Sequence, residues 1–338
     1  MGITSPHLGA EPQFTPYTPI TNPVKETTSI VVERSHDVSI DRLAIHRFCK
    51  VITPTKTEHW LQAAPVALQK LDLRDRLSFL LLLSSLSYRY WGDPKWAVQY
   101  RGKYYDGSWG MIASLWRAME CNVDILNASY QANMGLPTAE EMFAGTTVIP
   151  RFMDRLQIIH EVGRVLVTRF GGTFTNAIVE SEFDAITLLQ LVTEEFPSFR
   201  DTAVLAGNTI FFYKKAQLLI ADVSQTLESL GLPALRNVHL LTACADYKLP
   251  WILNKLGVLR YSDHLTSTIN EGRLIRAGSR EELEIRANTV WAVEYIRDGI
   301  STTFPETTAA QVNNYLWLLS QTKTRLDSPY HLTDTTFY

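Results

Sequence analysis

Between Ala243 and Leu259 the chain spells out a short amphipathic helix with a single carboxylate at its entrance. Leu249, Ile252, Leu253 and Leu256 recur at helical spacing and form one apolar face. Gly257 follows, the residue type that most readily takes the left-handed turn after a helix. Asp246 stands in the expected first turn. Two readings of it are open from these residues alone. It is a helix N-cap, since Asp is a favoured capping residue. Or it is a rigidly held carboxylate beside apolar surface, set to face a developing positive charge.

The helical period runs through most of the chain. Helices are expected over 41–52, 71–86, 149–170, 185–196, 211–230, 246–256, 279–300 and 309–321. The strongly apolar stretch 71–86 should be central. Ser108 is expected to cap another helix through Met111, Leu115 and Met119. Thr138 with Glu141, and Ser279 with Glu282, read as capping boxes. The pattern changes around Tyr88–Trp91 and Trp96–Tyr100, which are aromatic and β-branched. Turn signals follow at Gly92-Asp93-Pro94, Arg101-Gly102 and Asp106-Gly107. A small antiparallel β element near 88–106 is expected. Residues 1–28 hold Pro6, Pro12, Pro16, Pro19 and Pro23 among Thr and Ser, the composition of a flexible leader. With no internal repeat and no polar linker beyond residue 30, residues 29–338 should form a single, mainly α domain.

Composition narrows the partners. Apolar residues make up 46% of the 338, enough for a large core. The formal charge of −3 lacks the basic excess of proteins that wrap nucleic-acid backbone. Cys49, Cys121 and Cys244 fit neither a disulfide framework nor a zinc pattern, so a reducing compartment is expected and no metal. Asn127-Ala128-Ser129 matches a glycosylation sequon, but no secretory start accompanies it. The longest apolar run, Phe79–Leu83, is too short to span a bilayer. A soluble, cytoplasmic protein without a membrane partner is expected, as a monomer. There is no GxGxxG, P-loop or GxSxG, and no His pair at metal-ligand spacing.

Other segments offer chemistry. Phe211, Leu218 and Leu219 would share a helical face, with Lys214 and Lys215 at its edges. Those lysines either snorkel to solvent or point into a pocket toward a carboxylate or phosphate. The stretch Tyr100–Trp109 gathers aromatics and cations around Gly102 and Gly107. It is an ordinary exposed hairpin or a place to stack a base and hold an anion. Glu282–Arg286 and Glu294–Arg297 are helical ion pairs, and if buried they would scaffold a pocket.

Several long blocks, in order, resemble the queuosine salvage protein family. They are "QYRGKYYDGSWGMIASLWRAME", "RFGGTF", "EEFPSFRD", "FFYKKAQLLIADV", "ACADYKLPWILNKLGVLRYS", "EELEIRANTVWAVEYIRD" and "YLWLLS". The resemblance covers about residues 40–338. It implies a queuosine 5′-phosphate N-glycosylase, which releases the base queuine for reuse in tRNA modification. It also implies a fold like that of helix-hairpin-helix DNA glycosylases without their nucleic-acid contacts, and no cofactor.

By the same resemblance the catalytic aspartate falls on Asp246 and the active-site lysine on Lys214. Substrate contacts are expected at Cys244, Ala245, Asn313, Trp317 and Gln321, and the composition of the hairpin region adds Arg101, Lys103 and Trp109 as candidates. Lys214 would orient Asp246, or contact ribose or phosphate; Arg101 and Lys103 are further phosphate candidates. The chain departs from the family at Leu318, where an acid is expected. It also has Cys244 where relatives often carry an aromatic, and Ser279 where some carry Asp. The segment around His59 and Trp60 matches poorly. A non-catalytic queuine or nucleotide carrier and a DNA glycosylase are the rival readings.

Overall fold

The computed structural model describes residues 21–54, 58–324 and 326–338. Of the expected leader, residues 1–20 lie outside the described residues. Its remainder is not leader: Pro23–Val32 is helix α1, capped by the Asn22 side chain and started by a proline, whose fixed φ suits the first turn. Val24 is fully buried, and α1 packs on the long helix Arg280–Ile300 (α13).

The molecule is mainly helical, as expected. In chain order the remaining helices are Arg42–Cys49 (α2), Leu73–Ser85 (α3), Gly107–Glu120 (α4), Ala128–Ala132 (α5), Leu136–Met142 (α6), Phe152–Arg169 (α7), Phe174–Glu180 (α8), Ala185–Glu195 (α9), Lys214–Ser229 (α10), Lys248–Lys255 (α11), Asp263–Asn270 (α12) and Ala309–Ser320 (α14). Helix α3 is buried on every side from Arg76 to Ser85, as an all-round apolar helix must be. It packs against α4, α7, α8 and α10 in the largest apolar core. The second core is built by α2, α11, α12, α13 and α14.

Helix α11 ends as its sequence predicts. Gly257 takes φ 71°, and its N–H donates to Asn254 while Val258 N–H donates to Leu253, the paired bonds of a glycine-terminated helix.

Other expectations need correcting. The hairpin is shorter than 88–106: Ala97–Tyr100 (β2) pairs antiparallel with Lys103–Asp106 (β3). Tyr88–Trp91 is not a strand, because Arg155, buried on α7, takes the carbonyls of Leu86 (2.6 Å) and Tyr88 (2.7 Å) and stacks on the Tyr88 and Tyr90 rings. Two further antiparallel pairs exist: Val38–Ile40 (β1) with Leu259–Tyr261 (β6), and Thr202–Leu205 (β4) with Asn208–Phe211 (β5). Phe211 therefore lies in a strand and shares no helical face with Leu218. Tyr213 turns the chain at φ 51°, and α10 begins only at Lys214. Asp106, not Ser108, precedes α4. Helix α6 starts at Leu136, ahead of Thr138, because Pro137 sets its first turn. Ser279 does cap α13, but Glu282 reaches the N–H of Gly278 rather than closing a reciprocal box.

Candidate functional site

A cavity of about 490 Å³ opens where the two largest cores meet at Trp317. One wall is a stripe of α10: Lys214, Gln217, Leu218, Ala221, Asp222, Gln225 and Glu228 recur at helical spacing and all line it. The opposing wall comes from Thr242, Cys244 and Asp246–Leu249, and from Asn313, Asn314 and Trp317 of α14. Trp60, Trp109 and Trp317 form an aromatic cluster, with ring centroids 5.3–5.6 Å apart.

Asp246 makes the contacts of a helix cap and also lines the cavity. Oδ1 accepts the N–H groups of Lys248 (2.8 Å) and Leu249 (3.0 Å), which caps α11 and fixes the rotamer. Oδ2 has no hydrogen bond among the described residues, and the side chain lines the cavity. The residue before it is tied down too: Ala245 O accepts Arg286 Nε (3.1 Å), and Cys244 N–H donates to Asn313 Oδ1 (2.9 Å). Burial pushes the Cys244 thiol up to about 12, so it is not a thiolate nucleophile at neutral pH.

Arg286 does more than hold Ala245. Its guanidinium clasps both Asp201 oxygens (2.5 and 3.0 Å), approaches Glu282 Oε1 (3.4 Å), and lies over the Phe212 and Tyr338 rings. Asp201 Oδ2 in turn accepts the N–H of Lys214. One buried charge cluster thus sets both Asp246 and Lys214; of the two expected α13 pairs, Glu282–Arg286 belongs to it, whereas Glu294–Arg297 lies outside it with Arg297 part-exposed.

Lys214 is buried and lines the cavity; its Nζ donates to Ser87 O (3.1 Å). No ion pair with Asp246 forms, so the direct contact between them considered above is not made. Lys248 is the second cation here. Its Nζ donates to Gln321 Oε1 (3.0 Å) and sits 4.7 Å from the Trp317 ring. Burial pushes its amine down to about 8, while the negative charge of Asp246 pulls it up.

Lys215 points the other way, fully buried, with Nζ on Ser85 O (2.9 Å) between the Tyr88 and Phe199 rings. Burial lowers its pKa to about 7, against 10.5 for the free side chain. Between those values the unfolded chain holds the proton and the folded chain does not, so this residue's contribution to stability rises with pH above about 7. Thermal unfolding of wild type and Lys215→Met from pH 7 to 9 should show wild type gaining on the variant, by at most about 1.4 kcal/mol per pH unit. Parallel curves would rule out a displaced lysine proton.

The expected contacts divide. Cys244, Asn313 and Trp317 line the cavity. Trp109 backs Trp60 and Trp317, Gln321 holds Lys248, and Ala245 contributes only its carbonyl. Arg101 and Lys103 are not brought to the cavity: both are exposed at the β2–β3 turn, and Arg101 pairs with Glu120. Asp222, Lys248 and His59 were missed. Asp222 follows Lys214 and Leu218 at helical spacing on α10, but that spacing does not say which face turns inward. Lys248 lies two residues after Asp246, in the same Ala243–Leu259 stretch.

Residues 67–338 match the profile of the queuosine salvage protein family. A queuosine 5′-phosphate N-glycosylase/hydrolase of Sphaerobacter thermophilus is 37% identical over 324 residues, 93% of this chain and 97% of that protein. The proteins so named from Mus musculus and Bos taurus are 35% and 32% identical, over 81% and 87% of this chain and 83% and 91% of their own. With the match spanning α10, α11, α13 and α14, this chain belongs to the queuosine salvage protein family.

Proposed function

We propose that this chain hydrolyses the N-glycosidic bond of queuosine 5′-phosphate. Water adds hydroxyl to ribose C1′ and the proton goes to the departing nitrogen, releasing queuine and ribose 5-phosphate. The observation that carries the reading is Asp246, with Oδ1 pinned by two backbone N–H groups and Oδ2 free in the cavity. Bond breaking places positive charge on C1′ and the ring oxygen, as in glycoside hydrolysis. A pre-oriented carboxylate stabilises that charge, or forms a ribosyl ester that water then opens. The cavity volume falls within the roughly 300–1,000 Å³ of small-molecule sites. The Asp at the head of α11 also supports kinship with helix-hairpin-helix DNA glycosylases.

Lys214 and Lys248 are the cations we assign to the sugar and phosphate end. Each has one neutral partner and spare N–H donors. Lys248→Met should raise KM for the nucleotide roughly tenfold, the effect of one charged hydrogen bond, and should leave the dephosphorylated nucleoside nearly unaffected. Equal effects on both substrates would remove the phosphate from Lys248.

The test of the function is incubation of the pure protein with queuosine 5′-monophosphate, followed by mass spectrometry for free queuine. Nucleotide recovered intact would overturn the reading.

A further inference from the structure

One buried carboxylate in the cavity has no part in the mechanism above. Asp222 of α10 is 1% exposed and lines the cavity. Oδ1 is fully engaged: it accepts Trp60 Nε1–H (2.9 Å) and lies 3.2 Å from His59 Nε2. His59 Nδ1 accepts the N–H of Leu61 (3.4 Å), so its Nε2 carries the proton that faces Asp222. Oδ2 is buried and has no partner among the described residues. A buried carboxylate oxygen without a donor is costly, and a ligand that brings one recovers that cost.

The place of Asp222 says which part of a ligand would bring it. Asp222 lies eight residues after Lys214 on the same face of α10, about 12 Å along the helix at 1.5 Å per residue. Lys214 belongs to the end of the cavity assigned above to the sugar and phosphate. Asp222 lies toward Trp60, which its own Oδ1 holds in the tryptophan cluster. That is the position of a base edge when the sugar sits at Asp246.

We propose that Asp222 selects the base, its Oδ2 accepting an N–H from a guanine-type edge. Such an edge offers the ring N–H and the exocyclic amine, both donors. An adenine-type edge turns a bare ring nitrogen toward the same oxygen, and two acceptors repel. This rests on the N-glycosylase reading only for where the sugar lies, and it extends that reading to base choice.

The test uses Asp222→Asn, which keeps an oxygen for Trp60 and His59 and replaces the free acceptor by a donor. Binding of 7-deazaguanine and 7-deazaadenine is measured by quenching of tryptophan fluorescence. Wild type should prefer 7-deazaguanine, and the variant should lose about tenfold or more of that preference. If Asp222 is only a strut for Trp60 and His59, both bases weaken alike and the ratio holds, which overturns the proposal. Should the variant not fold, equal affinity of wild type for the two bases overturns it as well. Selective binding without queuine release would sink the hydrolase reading and leave this one standing.

Discussion

Asp246→Asn is expected to fold as the wild type does and to release queuine about a thousandfold more slowly, in the upper range for loss of one pre-organised charge contact. The geometry separates the two consequences. The helix needs an oxygen to accept the N–H groups of Lys248 and Leu249. The asparagine amide supplies one, and Asn caps helices about as well as Asp. The reaction needs negative charge on the oxygen that faces the cavity, and the amide has none. Thermal unfolding should therefore barely move while single-turnover release collapses. Release at the wild-type rate would return Asp246 to a capping role and shift the search to another carboxylate. Asp246→Ala is a poorer test, because it removes the cap and the charge together.

The parts of this molecule that could be read in advance are those whose causes are local. Helix α11 follows from four apolar positions and one glycine, and α3 from a run too apolar to face water anywhere. What was not legible depends on distant partners. Tyr88–Trp91 has strand composition, yet its carbonyls go to Arg155, some 66 positions away. Strands β1 and β6 are three residues each, and only their meeting across more than 200 residues makes them strands. The same division holds in the site. Lys214 opens α10 and Asp246 stands just ahead of α11, each in a long block resembling the family's, and both line the cavity. Arg101 and Lys103 were chosen from local composition, and a turn rich in cations and aromatics is as suited to water as to a phosphate. Asp222 required knowing that its face of α10 is turned inward, which a polar stripe alone does not reveal.

Replacing Arg286 by Met should be the most destabilising of the substitutions considered, at about 3–5 kcal/mol. The guanidinium is 3% exposed and answers two carboxylates, Asp201 and Glu282, that are themselves 1% and 2% exposed. Methionine fills much of the space but leaves both acids without their cation. Burial already raises the Glu282 pKa against the pull of Arg286, so Glu282 would respond by taking a proton. Asp201 would keep only its bond from the Lys214 N–H. At this chain length the loss corresponds to a melting temperature lower by about 4–7 °C. A second effect follows from the bond to Ala245 O: with that donor gone, the carboxylate of Asp246 is held only from its helix side. Turnover should therefore fall in the surviving folded protein while KM changes less, since Arg286 is not itself a lining residue of the cavity. Adding Asp201→Asn to Arg286→Met should restore part of the stability, because it removes the charge that the first change leaves unpaired. If Arg286→Met melted within 1 °C of wild type, the buried ion pair would not be what holds Lys214 and Asp246 on facing walls of one cavity.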